Sequence, residues 1–135
     1  MDAENRAVLS LRRYIDAALA HDWDALADTL ADSYRMEDRR TLLKNSYDKA
    51  GDLERSRATM DVGFDDVRVD VVELLGTDRA LLRGRLAASE TGFVVGTLLV
   101  VRVDGDDRLI EAFLFEDDDL DVAKAQLQSM DAREP

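Results

Sequence analysis

The sequence contains no cysteine, a single histidine and a single proline, which is Pro135. A chain without cysteine has no disulfide, no thiolate ligand for zinc and no cysteine nucleophile. The lone histidine, His21, also argues against a metal site built from several imidazoles. We therefore expect no metal centre.

Basic residues are few relative to acidic ones, with 18 Lys and Arg against 30 Asp and Glu and a net charge of −12. This charge repels phosphate backbones and anionic membrane surfaces. The longest mostly apolar run, residues 93–101, is too short to span a bilayer. The opening MDAENR lacks the basic and then apolar pattern of a signal sequence. We expect a cytoplasmic protein whose partners include neither nucleic acid nor membrane.

The length of 135 residues suits one domain that buries about two-thirds of its unfolded surface. The sequence shows no internal repeat and no low-complexity linker. We therefore assign residues 1–135 to a single domain.

The stretch RYIDAALAHDWDALADTLADSYRMED, residues 13–38, joins two amphipathic helices to a strand. Apolar residues recur at three- and four-residue steps in its first part, which predicts a helix over residues 4–20 with Tyr14 on or beside the buried stripe. Asp22 follows a turn at His21 and can cap the second helix. Tyr34, Met36 and Asp38 then alternate with charged residues. This pattern predicts a strand with a carboxylate where an apolar residue is expected.

The remaining sequence predicts a third helix over residues 41–53 and then several strands joined by short turns. The strands are expected around residues 67–71 and over residues 80–88, 93–103 and 108–115, followed by a last helix over residues 120–130. Strands joined by tight turns pair antiparallel, so the fold class is α+β rather than a doubly wound sheet.

This order of elements, with RYIDAALAHDWDALADTLADSYRMED and VVRVDGDDRLIEAFLFEDDDLDVA, resembles the nuclear-transport-factor-2-like superfamily, in its ketosteroid-isomerase and SnoaL-like branch. The resemblance covers nearly the whole chain. It implies a cone-shaped, curved antiparallel sheet that wraps three N-terminal helices, with a short C-terminal helix. It also implies a pocket for a small apolar ligand and a homodimer.

The resemblance to ketosteroid isomerases places the pocket tyrosine of that family on Tyr14 and its catalytic aspartate on Asp38. In such chemistry a carboxylate moves a proton next to a carbonyl, and hydroxyl groups hold the enolate oxygen. The second oxyanion donor falls on Leu99, which cannot donate, and Arg39 replaces the proline that follows the aspartate. Losing one donor costs roughly 10²–10³ in rate. The resemblance thus implies a related, cofactor-free proton transfer, of isomerase or cyclase type, on a small carbonyl or polyketide-like substrate.

Two alternatives stay open. The EDRR motif at residues 37–40 and the ending FEDDDLDVA resemble SnoaL-like domains of actinobacterial proteins, many without known activity, which implies a non-catalytic ligand-binding or dimerisation module. Arg68-Val69-Asp70 has the Arg-x-Asp spelling of limonene-epoxide-hydrolase-like enzymes. It lies one strand too early, and the last-strand acid falls on Leu114, so an epoxide hydrolase is the weaker alternative.

Several strand residues are candidates for lining the pocket. The expected set is Met36, Thr97, Leu99, Ala112, Leu114 and, at the rim, Glu116. Arg83 and Arg85 share one face of their strand; facing inward they would bind an anionic ligand or pair with Asp38, and facing outward they would meet solvent or a second subunit.

The two candidate catalytic residues also have structural interpretations. Asp38 is either a pocket carboxylate or a strand-end aspartate paired with Arg39, Arg40 or a backbone N–H. Tyr14 either lines the pocket or is a core tyrosine whose hydroxyl needs some other partner.

Overall fold

The structure is a computed structural model that describes residues 4–40 and 44–130. Its helices are α1 (Arg6–Leu19), α2 (Trp23–Asp28), α3 (Lys49–Asp61) and α4 (Leu120–Ser129). Its strands are β1 (Leu30–Asp38), β2 (Asn45–Asp48), β3 (Asp66–Leu75), β4 (Arg79–Ala88), β5 (Phe93–Val103) and β6 (Leu109–Glu116). The strands form one sheet in the order β2-β1-β6-β5-β4-β3.

The first helix, predicted over residues 4–20, spans Arg6–Leu19, and the second helix starts directly after its predicted cap. The Asn5 side chain caps α1 by accepting a hydrogen bond from the Val8 backbone N–H at 3.2 Å. His21 takes a left-handed φ of 57°, which breaks the helix. Asp22 then caps α2 by accepting from the Ala25 backbone N–H at 3.1 Å. Both caps satisfy backbone donors that have no partner within their helix.

Strand β1 brings the start of the chain beside its end. It pairs antiparallel with β2 and parallel with β6, where Met36 lies opposite Ala112 and Asp38 opposite Leu114. Strands β3 to β6 pair antiparallel in sequence order. The α+β class and the curved sheet are confirmed, while the parallel β1–β6 pair makes the sheet mixed rather than wholly antiparallel.

The third helix begins later than predicted. Residues 45–48 form β2, and α3 starts at Lys49, capped by Asp48, which accepts from the Gly51 backbone N–H at 2.9 Å. The predicted start, residues 41–43, lies outside the described residues. The prediction was misled because α3 buries the polar Asp52 and Ser56 along with Met60, so it has no continuous apolar stripe.

The sheet separates two layers of core. Helices α1, α2 and α3 pack on its inner face, and α4 packs on its outer face against Leu98, Val100 and Phe115. No helix in the described part of the chain combines the length and the apolar run that a bilayer crossing requires. The candidate site lies in the inner layer.

Candidate functional site

A cavity of about 240 Å³ lies between α1, α3 and the inner face of the sheet. Most of its wall is aliphatic or aromatic, with Val69, Leu86 and Val95 from three neighbouring strands and Phe64 from the segment before β3. Its polar lining residues are Tyr14, Arg40, Arg55, Ser56, Thr59 and Thr97. An apolar wall with a few placed polar groups is the usual composition of a small-molecule site.

Tyr14 lines the cavity, but its hydroxyl proton is donated to another side chain of the protein. Its hydroxyl donates to Asp52 Oδ2 at 2.7 Å and also contacts the Ser56 hydroxyl. Burial and the neighbouring Asp52 raise the pKa of Tyr14, so the phenol stays protonated. Because the single phenolic proton goes to Asp52, Ser56 must be the donor in its contact with Tyr14.

Asp52 is fully buried and holds Arg55. Its Oδ1 accepts from Arg55 Nε at 3.2 Å and from Nη2 at 2.9 Å. The Arg55 guanidinium also lies 5.7 Å from the centre of the Tyr47 ring. Burial alone would lower the pKa of Arg55, but Asp52 outweighs it and the pKa is raised. The guanidinium is therefore charged and fixed in position at the cavity wall.

Asp38 is buried, with only 3% of its side chain exposed, and it is paired with Arg40. Its two oxygens accept from Arg40 Nη2 at 2.6 Å and Nε at 2.9 Å, and Oδ1 also accepts from the Arg40 backbone N–H at 3.1 Å. Arg40 is a lining residue and Asp38 is not. This differs from the expected pocket carboxylate, because the arginine two positions further on folds back and covers it.

The structure brings some of the other predicted residues to the cavity. Thr97, Leu99 and Leu114 line it, and the Thr97 hydroxyl donates to the Phe115 backbone carbonyl at 2.8 Å. Met36 and Ala112 are buried in the inner core without lining it. Glu116 ends β6, half-buried and opposite Thr97 in the register.

Arg83 and Arg85 lie on the outer face of β4 and are exposed. Strand alternation gives the inner face to Gly84 and Leu86, which line the cavity. Arg83 Nη1 donates to the Asp117 backbone carbonyl at 2.9 Å. The inward orientation of these arginines, and with it a bond to a cavity ligand or to Asp38, is therefore excluded.

The side chains of the Arg-x-Asp motif on β3 also face away from the cavity. Arg68 and Asp70 are exposed, whereas Val69 between them is a lining residue. Leu114 occupies the last-strand position on the wall. Among the described residues, no acid–arginine pair from β3 is available to open an epoxide in this cavity.

Sequence reasoning missed the polar residues that α3 contributes. Asp52, Arg55 and Ser56 are spaced three and four residues apart, which places them on one side of a helix. That signal was present in the sequence, but the helix was expected to end at residue 53.

In the described ranges, no group of three His, Cys, Asp or Glu side chains is placed to hold a metal ion.

The fold and the cavity define a cone-shaped α+β domain with helices on the inner face of a curved sheet. A putative SnoaL-like polyketide cyclase from Shewanella denitrificans OS-217 has this fold, with 16% identity and a TM-score of 0.59 over 90% of this chain and 96% of that one. An LEH-like epoxide hydrolase from Mycobacterium tuberculosis matches with 14% identity and a TM-score of 0.62 over 95% and 89%.

The protein RV0760c from M. tuberculosis, in complex with estradiol-17β-hemisuccinate, matches with 14% identity and a TM-score of 0.58 over 82% of this chain and 93% of that one. No family model and no curated protein sequence matches the chain. These likenesses confirm the predicted cone-shaped α+β fold.

Proposed function

We propose that this protein binds a compact, largely apolar small molecule in the cavity between α1, α3 and the sheet. The observation that carries the proposal is the cavity itself, about 240 Å³ in volume and lined mainly by hydrocarbon. Ligand sites commonly range over roughly 300–1,000 Å³. The smaller volume favours a ligand of one or two rings.

The solved structures of the same fold support a ligand of this kind. One is named as a putative polyketide cyclase, and another holds a steroid derivative. The steroid derivative is built around an apolar ring system. Both structures bear on this chain by analogy of fold.

Binding is favoured over catalysis because the candidate catalytic groups are already engaged. An enzyme needs at least two groups that converge on one reacting atom. Here the Tyr14 proton is directed to Asp52, and the Asp38 carboxylate is occupied by Arg40. A binding protein needs only the shape of the cavity and a polar anchor.

Titration with benzene and with 2-tetralone, followed by methyl NMR, tests the proposal. We expect saturable shifts of the Leu99 and Leu114 methyl signals, because both residues line the cavity. Leu98 is an internal control, since it neighbours Leu99 in sequence but packs on the opposite face against α4. The proposal would be overturned if neither compound, at millimolar concentration, shifted the methyl signals of Leu99 and Leu114.

A second candidate function is cofactor-free proton transfer on a small carbonyl compound, with Asp38 as the base and Tyr14 as the hydrogen-bond donor. The observation in its favour is that Asp38 is buried opposite Leu114, whose side chain forms part of the cavity wall. A substrate would have to displace Arg40 from the carboxylate before the proton could move.

Exchange of the 2-tetralone protons next to the carbonyl, measured in deuterated water, tests this second function. Asp38→Asn should abolish the protein-dependent exchange, because the amide cannot accept the proton. Asp32→Asn is the matched control on the same strand, since Asp32 is exposed and pairs with Lys49. Equal exchange rates in the parent and in Asp38→Asn would exclude Asp38 as the general base.

A further inference from the structure

Two arginines face the cavity, each with a buried carboxylate behind it. The Arg55 side chain is 29% exposed and its partner Asp52 is 0% exposed; for Arg40 and Asp38 the values are 20% and 3%. Arg40 and Arg55 line the cavity, and neither aspartate does. The cavity therefore meets the positive end of each ion pair.

Each carboxylate bonds the same edge of its guanidinium. Asp52 accepts from Nε and Nη2 of Arg55, and Asp38 accepts from Nε and Nη2 of Arg40. Because a guanidinium has five N–H donors in a planar fork, the Nη1 side of each arginine lies away from its carboxylate.

The hydroxyl groups of the described cavity lining all donate hydrogen bonds to other groups of the protein. Tyr14 donates to Asp52, and Ser56 in turn donates to Tyr14. The Thr59 hydroxyl donates to the Arg55 backbone carbonyl at 2.8 Å, and Thr97 donates to the Phe115 carbonyl. Among the described lining side chains, the two guanidiniums are thus the donors left for a ligand.

A carboxylate is the ligand group that matches such a donor. Planar guanidinium and planar carboxylate groups form short, charge-assisted hydrogen bonds, and these gain strength where apolar walls exclude water. A neutral carbonyl would use the same donors less well. Arg55 is held from two sides, by the Asp52 carboxylate and by the Tyr47 ring.

We propose that the ligand carries a carboxylate that binds the Nη1 side of Arg55, an inference that rests on the proposed binding function. The apolar body of the ligand then occupies the space along Val69, Leu86 and Leu99. The ligand class is a compact cyclic or aromatic acid.

The test compares 4-ethylbenzoate with 4-ethylbenzyl alcohol, which share one carbon skeleton, by calorimetry at pH 7. We expect the parent protein to bind the acid at least about tenfold more tightly than the alcohol, since a hydrogen bond to a charged group is worth that much. The double variant Asp52→Asn/Arg55→Gln should lose this preference and retain binding of the alcohol. The double substitution avoids leaving Asp52 buried without a counter-ion.

Arg57→Gln is the matched control on the same helix. It removes one arginine charge, whereas the double variant leaves the net charge unchanged, so Arg57→Gln is the stricter test of general electrostatics. Arg57 is exposed and lies 5.4 Å from the centre of the Trp23 ring rather than on the cavity wall. We expect it to keep the preference for the acid. An equal loss in Arg57→Gln would indicate general electrostatics and overturn the assignment.

The remaining outcomes separate this inference from the binding function. Equal affinities of the parent for acid and alcohol would overturn the carboxylate inference and leave ligand binding intact. A preference that persists in the double variant would remove Arg55 as the anchor. Binding of neither compound would overturn the carboxylate inference, and the benzene and 2-tetralone titrations decide the binding function separately.

Discussion

Tyr14 on α1 and Asp52 on α3 are joined by a 2.7 Å hydrogen bond. The bond connects the first helix to the third beside the cavity, and it fixes the carboxylate that in turn holds Arg55. The Tyr14 phenol therefore helps to position the Arg55 guanidinium through a carboxylate that both side chains bind.

A double-mutant cycle on this pair should show strong coupling. Tyr14→Phe is expected to lower the free energy of unfolding by about 1.5–3 kcal/mol, because it removes a hydrogen bond to a buried charged group. Asp52→Asn should destabilise as well, and the double variant should lose less than the two single losses combined. Urea unfolding measures all four proteins. Additive losses would show that the two side chains act independently.

Stability should decrease in alkaline solution. Burial and Asp52 raise the pKa of Tyr14 above its ordinary value of 10.0, and burial also raises the pKa of Tyr34. The unfolded phenols lose their protons near pH 10 while the folded ones keep theirs. This contribution to stability is therefore fully present below about pH 10 and is lost as the pH rises further.

The alkaline loss can be assigned to individual residues by unfolding between pH 8 and pH 11. Each phenol should contribute about 1.4 kcal/mol per pH unit above pH 10. Tyr14→Phe should reduce the slope by one such share, and adding Tyr34→Phe should reduce it again. An unchanged slope in both variants would contradict the assignment.

Adjacent arginines should differ sharply in their contribution to stability. Arg40→Gln leaves Asp38 buried without its ion pair, and we expect a loss of about 3–5 kcal/mol in the free energy of unfolding. Arg39 pairs with Glu37 where both side chains are more than 40% exposed, so Arg39→Gln should cost less than about 1 kcal/mol. Similar losses in the two variants, measured by thermal and urea unfolding, would count against a structural role for the Asp38–Arg40 pair.

The confirmed predictions of the fold came from local sequence patterns. The predicted cap at Asp22 satisfies the N-terminus of α2, and alternation placed Tyr34, Met36 and Asp38 on one buried face. These features depend on neighbours within a few residues of each other. They are readable from sequence because helix and strand periodicity is local.

The polar network at the cavity was not readable in the same way. Whether Asp38 faces a pocket or Arg40 depends on the path of the chain after β1, and the partner of Tyr14 comes from α3, 38 positions further on. Burying Asp52 and Ser56 also gave α3 the pattern of a surface helix. Such pairings depend on tertiary contacts, for which the amino-acid pattern alone gives no register.

The cavity can be reduced from one strand position. A Cβ atom on Gly84 would lie 2.9 Å from Leu99 Cδ1, so Gly84→Ala should turn Leu99 further into the cavity. We expect several-fold weaker binding of benzene or 2-tetralone and a stability loss of about 1 kcal/mol. Gly96→Ala is the control, because its Cβ would meet Asp117 Oδ2 at 2.7 Å instead. Weaker binding in both variants would contradict the location of the site.

The expected homodimer stays a prediction, and the outer face of the sheet is where we place it. The exposed Arg83, Arg85 and Val94 lie on this face. Light scattering at micromolar concentration should give twice the chain mass, and Val94→Asp should shift the protein toward the monomer. Val62→Asp is the control, since Val62 is 70% exposed at the end of α3. A monomeric parent protein would contradict the prediction.

The parallel pairing of β1 with β6 has a consequence for biosynthesis. A ribosome releases the strand that contains Met36 long before the strand that contains Ala112, its neighbour in the sheet. Helices α1 and α2 can form early, but the wall of the cavity is completed only after most of the chain has emerged. Acquisition of the binding site is therefore a late event in folding, and a chain cut short before β6 lacks the strand that Asp38 is paired against.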